Sequence, residues 1–388
     1  MKQLSIRKEA AILVLVAAFL GGYFIRPALP LPNDASAPAG TSSPRISEPA
    51  IRRYAEALAH IAREAMFSPP AGSPRDIVTS SLKTYLGEKD PYSDFLTREE
   101  YAKFMEANRG EHAGIGLDIE KRRNGDIVCY PIPNGPAAKA GIKPGEQLLS
   151  LDGVATRGKS LPAIVAMAAG KQGTPIVAEL ESSDGSRREV TITRAKFSAP
   201  AVSEYTLHSS RIIKLGGFTP STKQELDYLV SKQRRHDHII LDLRGCGGGD
   251  FYAAVDSAML FLEKGEEIVS VSGRSGSQAY SATIAHELPA QRVFLWQDEF
   301  TASAAEIFIA ALTENDHGIS VGMTTAGKGT RQDIIKLQDG AALILTTGYL
   351  LTPRGIRFDG LGLKPMHQIE GNGGDENAYF SKTTRLAG

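Results

Sequence analysis

The stretch HIILDLRGCGGGDFYAAVDSAMLFL, residues 238–262, decides the fold class. Ile239, Ile240, Leu241 and Leu243 make 238–243 a strand of the kind buried on both faces. Glycines at 245 and 247–249 then turn the chain, and 251–262 continues as an apolar helix. Strand, glycine turn and helix in succession are the repeating unit of an α/β domain. The alternation runs on downstream, with strands expected at 267–271, 292–296 and 319–321. A helix is expected at 302–313, stopped by Asn315-Asp316-His317-Gly318. Asp339-Gly340 joins 334–337 to 342–346 as a hairpin. These elements predict a mainly parallel sheet with antiparallel additions, in a core spanning 199–370 and followed by a C-terminal tail at 371–388.

Between 112 and 195 the pattern changes to short strands bounded by glycine turns. Gly114-Ile115-Gly116-Leu117 precedes alternating residues, 127–130 is a strand, and Asp152-Gly153 and Asp184-Gly185 mark hairpins around a helix at 161–169. This succession resembles a PDZ domain, which implies a peptide-binding loop at Gly114, Ile115, Gly116 and Leu117. Glycines there let successive backbone amides converge on a terminal carboxylate, while the next strand pairs with the peptide. Leu117 and Ile119 are then expected to line a pocket for an apolar terminal side chain.

Ahead of that unit, 50–110 reads as a small helical region, with helices at 51–66 and 75–86 and a third opened by the capping box Thr97-Arg98-Glu99-Glu100. At the N-terminus, Lys2, Arg7 and Lys8 precede an apolar run at 10–25, and 27–49 is rich in Pro, Ala and Ser. This is the anatomy of a secretory signal, and residues 1–26 are read as a cleaved signal or an uncleaved membrane anchor. Either way the body is expected outside the cytoplasm, periplasmic or anchored on the extracytoplasmic side.

Of 388 residues, 42% are hydrophobic and 23% charged, with Lys+Arg and Asp+Glu both at 44. That balance gives no electrostatic case for nucleic acid as a partner. Cys129 and Cys246 form neither a metal-ligand spacing nor a disulfide framework, so thiols are expected, with no metal and no cofactor.

Candidate chemistry lies at Thr301-Ala302-Ser303-Ala304-Ala305-Glu306-Ile307, which opens the helix after a buried strand. A serine in a first helical turn meets free backbone N–H groups and the positive end of the helix dipole, which suit an oxyanion. It is also an ordinary place for a helix-capping serine. Further on, Ala326-Gly327-Lys328-Gly329-Thr330-Arg331-Gln332 brings a lysine between glycines. A lysine serves as a base when burial beside an uncharged partner favours the neutral amine, and Gln332 can accept a hydrogen bond from that amine.

The pairing and the chain around it, from about 45 to 370, resemble the carboxy-terminal processing (tail-specific) proteases. The motifs are Asp90-Pro91-Tyr92-Ser93, the PDZ unit, Ile240-Leu241-Asp242-Leu243-Arg244, the serine segment, Gly327-Lys328-Gly329 and Thr352-Pro353-Arg354-Gly355. The resemblance implies a crotonase-like α/β core with Ser303 as nucleophile, Lys328 as general base and Gln332 orienting it. The oxyanion hole then uses the N–H of Ala304 and of Gly249, with Gly248 as the alternative. It implies flexible C-terminal protein tails as substrates and leaves a homo-oligomer or an adaptor protein open as partner. Departures are Gly245-Cys246-Gly247-Gly248-Gly249 where the family shows Asn-x-Pro-Gly-Gly, which predicts a looser loop, and Ala305, Ala326 and Met366 for Ser, Phe and Asp.

Gly322-Met323-Thr324-Thr325-Ala326-Gly327-Lys328 has the form of a phosphate-binding loop, but Gly329 replaces the metal-binding Ser/Thr and a hairpin follows. No G-x-S-x-G elbow and no H-E-x-x-H occurs. The altered glycine loop leaves one alternative of another class, an inactive PDZ protein that only captures peptide tails.

Overall fold

The computed structural model describes residues 23–26, 48–64, 74–108, 113–122, 124–132, 134–196, 201–232, 238–284, 292–369 and 375–388. Most of the apolar N-terminal run and most of the linker after it lie outside the described residues. The end of that run, β1 (Tyr23–Arg26), pairs parallel with a core strand, Tyr23 opposite Gln332. Helices α1 (Glu48–Glu64) and α2 (Pro74–Lys89), strand β2 (Asp94–Leu96) and helix α3 (Arg98–Asn108) follow. The capping box is formed: Thr97 N–H donates to Glu100 Oε2 at 2.9 Å and Glu100 N–H to Thr97 Oγ1 at 3.2 Å. Leu96 and Phe104 pack this region onto Ile334 and Ile344 of the core.

The next unit comprises β3 (Leu117–Lys121), β4 (Ile127–Pro131), α4 (Pro136–Lys139), β5 (Gln147–Leu151), β6 (Val154–Ala155), α5 (Leu161–Ala168), β7 (Pro175–Glu181) and β8 (Arg187–Thr193). Its antiparallel sheet runs β3-β4-β5-β7-β8, leaving β3 at an edge. Asp152 and Gly153 both take positive φ, 47° and 74°, as the hairpin turn requires. Ile127, Cys129, Leu148, Leu151 and Ile164 form its core.

The rest comprises β9 (Val202–Leu207), β10 (Ser210–Leu215), α6 (Thr222–Ser231), β11 (Ile239–Asp242), α7 (Phe251–Ala258), β12 (Glu267–Gly273), β13 (Gly276–Ser281), β14 (Val293–Gln297), α8 (Ala304–Glu314), β15 (Ile319–Gly322), β16 (Thr330–Lys336), β17 (Ala342–Leu351), β18 (His367–Gln368) and α9 (Glu376–Ala387). Here the fold is α/β, but it holds two sheets where the sequence suggested one with additions. Strands β18-β15-β14-β11-β10 are parallel, with β9 antiparallel at the edge. The hairpin β16–β17 joins β12, β13, β2 and β1 in a separate sheet. The reason lies in α8, buried from Ala304 through Leu312 on every side. A helix apolar all round needs cover on both faces. The parallel sheet supplies Leu241 and Leu295, and the second sheet supplies Ile268, Val269 and Leu350.

The opposite face of the parallel sheet is covered by α9, in the segment read as a tail. Tyr379 is fully buried, donates to the Gln297 carbonyl at 2.8 Å, and stacks near Trp296, whose indole N–H donates to Thr383 at 2.9 Å. Tyr379→Ala is expected to destabilise the protein by about 3–5 kcal/mol. Urea denaturation followed by tryptophan fluorescence checks this directly, because Trp296 reports on the same contact.

Candidate active site

Ser303 stands at the turn from β14 into α8 with φ 57° and ψ −118°. A positive φ is uncommon for a non-glycine residue, and its persistence means the surroundings hold it there. Those constraints are explicit. Ser303 N–H donates to Glu306 Oε2 at 2.8 Å, and the Ser303 carbonyl accepts from Glu306 and Ile307 at 2.9 and 3.1 Å. Because Glu306 N–H bonds the carbonyl, the Ser303 hydroxyl is not used as a cap and stays available.

The glycine loop lies against this turn. A Cβ on Gly248 would come within 2.8 Å of the Ala302 carbonyl and 2.9 Å of Ala304 N, and one on Gly249 within 2.3 Å of the Phe218 carbonyl. Only glycine permits that approach. The loop is also not loose, as its composition suggested. Gly245 N–H donates to Asp298 at 2.9 Å, Ala302 N–H to the Cys246 carbonyl at 2.9 Å, and Phe218 N–H to the Gly248 carbonyl at 2.8 Å. Before it, Arg244 clasps the buried Asp242 through two bonds of 2.9 and 2.8 Å. Burial opposes the charge on Asp242, but Lys214 and Arg244 outweigh it and hold the carboxyl at about 2. The Gly248 amide faces the Cys246 sulfur, whereas the amides of Gly249 and Ala304 have no protein acceptor among the described residues.

Lys328 is joined to Ser303 by a residue the sequence reading passed over. The Glu306 carboxylate, fully buried, accepts Ser303 N–H and Lys328 N–H on Oε2 at 2.8 and 2.9 Å. Its Oε1 accepts Gly327 N–H at 2.8 Å and the Thr325 hydroxyl at 2.5 Å. One side chain thereby fixes the serine turn to the lysine loop. The available signal was Ser303-Ala304-Ala305-Glu306, which has the spacing of a capping box. Residues 323–329 lead into strand β16 and not into a helix, so no phosphate cradle forms there.

Burial pushes the Glu306 carboxyl up to about 7, with the hydrogen bonds from Thr325, Ser303, Gly327 and Lys328 opposing the rise. The folded protein therefore holds this proton more tightly than the unfolded chain between the ordinary 4.5 and about 7. Its contribution to stability falls as pH rises through that window and is level above it. Equilibrium unfolding at about pH 5 and about pH 8 should show a loss in the parent that Glu306→Gln lacks.

Gln332 is buried on β16, and its Nε2 donates to Thr330 at 2.9 Å and Thr346 at 3.2 Å. These bonds orient the amide, and among the described residues no hydrogen bond joins it to Lys328. A pocket beside Ser303 is lined by Gly249, Phe251, Ala304, Ile307, Thr330 and Leu350.

Comparison with known proteins agrees with this architecture. Residues 211–369 match peptidase family S41, and residues 127–194 match a PDZ domain. The core of this chain belongs to peptidase family S41. The carboxy-terminal processing protease CtpA of Bacillus subtilis is 32% identical over 284 residues, 72% of this chain and 61% of that protein. A Staphylococcus saprophyticus protein named "Probable CtpA-like serine protease" is 32% identical over 297 residues, 75% of this chain and 59% of that one. The chain thus spans about three fifths of the length of the curated relatives it matches. The solved photosystem II D1 C-terminal processing protease shares the fold, with TM-score 0.71 over 86% of this chain and 96% of that one, at 23% identity.

The PDZ domain meets the S41 core at the glycine loop. Phe300 packs onto Gly145, Pro144 onto Gly245, and Tyr130 and Asp118 lie over Gly247. In the PDZ loop, Gly114 N–H is already bonded to the Ala195 carbonyl at 3.2 Å, while the amides of Ile115 and Gly116 have no protein acceptor among the described residues. Gly116 has φ 66°, the left-handed conformation that glycine adopts without strain. Leu117 and Ile119 pack partly into the domain's core beside Leu161 and Met167 of α5.

Proposed function

We propose that the protein is an exported serine endopeptidase that cuts protein substrates near their C-termini by Ser–Lys catalysis. The observation that carries the reading is the Glu306 carboxylate holding Ser303 and Lys328 through one oxygen. Beside that junction, the amides of Gly249 and Ala304 are available to an oxyanion. In the proposed reaction Ser303 Oγ attacks the scissile carbonyl carbon and its proton passes to Lys328 Nζ. The tetrahedral oxyanion rests on Gly249 N–H and Ala304 N–H. Collapse breaks the C–N bond, and Lys328 returns the proton to the leaving amine. Water then hydrolyses the acyl-enzyme, with Lys328 again taking the proton. Gln332, its Nε2 fixed by two threonines, offers Oε1 to that amine.

Export rests on the basic and apolar N-terminal segment. No helix among the described residues is long and apolar enough to cross a membrane. Flexible C-terminal tails are the proposed partners, captured by β-augmentation on the β3 edge with the terminal carboxylate at Ile115 and Gly116. A homo-oligomer or an adaptor protein would serve the same delivery. Amidating the C-terminus of a peptide substrate removes the charge those amides bind, so kcat/KM is expected to fall by about tenfold or more, equivalent to about 1.4 kcal/mol. Equal cleavage of amidated and free-acid peptides would exclude carboxylate recognition by this loop while leaving the Ser–Lys chemistry standing.

A further inference from the structure

The turn at 358–363 lies flat against the loop that carries Lys328. Gly360 N–H donates to the Gly327 carbonyl at 2.7 Å, and Thr325 N–H to the Leu363 carbonyl at 3.2 Å. A Cβ on Gly362 would come within 2.1 Å of the Thr325 carbonyl, and one on Gly327 within 2.6 Å of Gly362 N. Only glycine permits that approach. Leu363 anchors the turn against the core. Its N–H donates to Thr325 Oγ1 at 2.7 Å, and the Thr325 hydroxyl donates to Glu306 Oε1 at 2.5 Å. The second distance is that of a hydroxyl on a charged oxygen. Thr325, itself buried, thereby carries the connection from the turn through Glu306 to the amides of Ser303 and Lys328.

Thr325 differs in kind from the other three groups on that carboxyl. The backbone amides of Ser303, Gly327 and Lys328 can only donate, so each needs an oxygen that accepts. A hydroxyl carries one hydrogen and two lone pairs. Leu363 N–H occupies one lone pair. The hydrogen serves a charged Glu306, and the second lone pair can accept a hydrogen from Oε1 of a protonated one. Burial holds this carboxyl at about 7, so both forms are populated near neutral pH. Among the groups bonded to Glu306 only Lys328 belongs to an ionisable residue, and it gives its backbone amide. Asp298 ahead of α8 and Asp359 on the turn are engaged elsewhere, with Gly245 and Thr301 and with Arg357.

We propose that Thr325 is a positioning residue of the reaction: by reversing the sense of its hydrogen bond, it keeps Glu306 on the Ser303 and Lys328 amides whether the carboxyl is charged or protonated. This rests on the Ser–Lys reading above. Without the hydroxyl, the hydrogen of a protonated Glu306 meets only amide donors. One of the bonds that join the serine turn to the lysine loop then has to break, and nucleophile and base lose their shared support.

The test is the pH dependence of kcat and KM for one peptide, measured on the full chain and on Thr325→Val, Thr325→Cys and Thr325→Ser, with thermal melts alongside. The ratio of Thr325→Val to parent kcat is expected to fall about tenfold between about pH 8.5 and about pH 5.5, with KM unchanged. Taking the ratio removes the titration of Lys328, which parent and variant share. Thr325→Cys, whose thiol is a weak donor and acceptor, should show the same trend to a smaller extent, and it decides the matter if Thr325→Val does not fold. Thr325→Ser keeps the hydroxyl and should hold a flat ratio. Ser303→Ala in the same assay reports on the chemistry itself. If Ser303→Ala is inactive and the ratio is flat for both Thr325→Val and Thr325→Cys, the role of Thr325 is overturned and the Ser–Lys reading stands. That holds equally where kcat is lowered by the same factor at every pH, since a merely structural role does that. Activity persisting in Ser303→Ala would instead remove the reading on which the inference rests.

Discussion

Replacing Ser303 with alanine is expected to leave peptidase activity at background, in a protein that melts at the parent's temperature. The hydroxyl makes no capping bond, so its removal takes away the nucleophile and little else. Lys328→Ala should fall as far, and the double variant no further, because nucleophile and base act as one unit; losses on the order of 10⁴ or more in kcat are expected. Lys328→Arg should fail as well, since a guanidinium does not give up its proton at working pH. Thermal melts and steady-state rates on a peptide substrate check all four proteins together. A folded Ser303→Ala with parental turnover would remove Ser303 from the mechanism.

Glu306→Ala is expected to be the most damaging single change outside that pair. It strands three backbone amides, of Ser303, Gly327 and Lys328, and the Thr325 hydroxyl, around a residue with no exposed surface. Each unsatisfied buried donor costs about 1–3 kcal/mol, so a loss of about 3 kcal/mol or more is expected even after relaxation. Turnover should fall by about 10² or more, because serine and lysine then sit on separately mobile loops. Glu306→Gln keeps one acceptor oxygen but turns an NH₂ toward donors, so it should recover part of the stability and little of the rate. Urea denaturation with parallel kcat measurement separates the two effects. Parental values of both in Glu306→Ala would show that the shared carboxylate holds nothing together.

Much of this is legible in the sequence, for reasons that differ by region. The stretch 238–262 was readable because a strand buried on both faces, a glycine turn and an apolar helix each carry a strong local signature. Thr97 and Glu100 were readable because a capping box is closed within four residues. Glu306 was not singled out, although its spacing from Ser303 is the same. Three of its four partners lie at 325–328, and only the tertiary fold brings them there. Helix α9 was taken for a tail because its core-facing anchors, Tyr379 and Thr383, are weakly apolar and depend on Trp296 and Gln297. The split into two sheets was likewise invisible locally. Hairpin 334–346 looks the same whether it extends a parallel sheet or covers the far side of a buried helix. The contact of Asp118 with Gly247 joins residues over a hundred positions apart, and the sequence marked Gly247 only as part of a departure that predicted a looser loop.

Ser303 is proposed here as a nucleophile activated by Lys328 in a working protease. Intact-mass and peptide-mapping mass spectrometry after treatment with a serine-directed acylating probe tests it most directly. One adduct on Ser303 is expected, absent in Ser303→Ala and strongly reduced in Lys328→Ala. No adduct on the folded parent, or an adduct on another residue that Lys328→Ala does not diminish, would contradict the claim and leave a protein that captures peptide tails without cutting them.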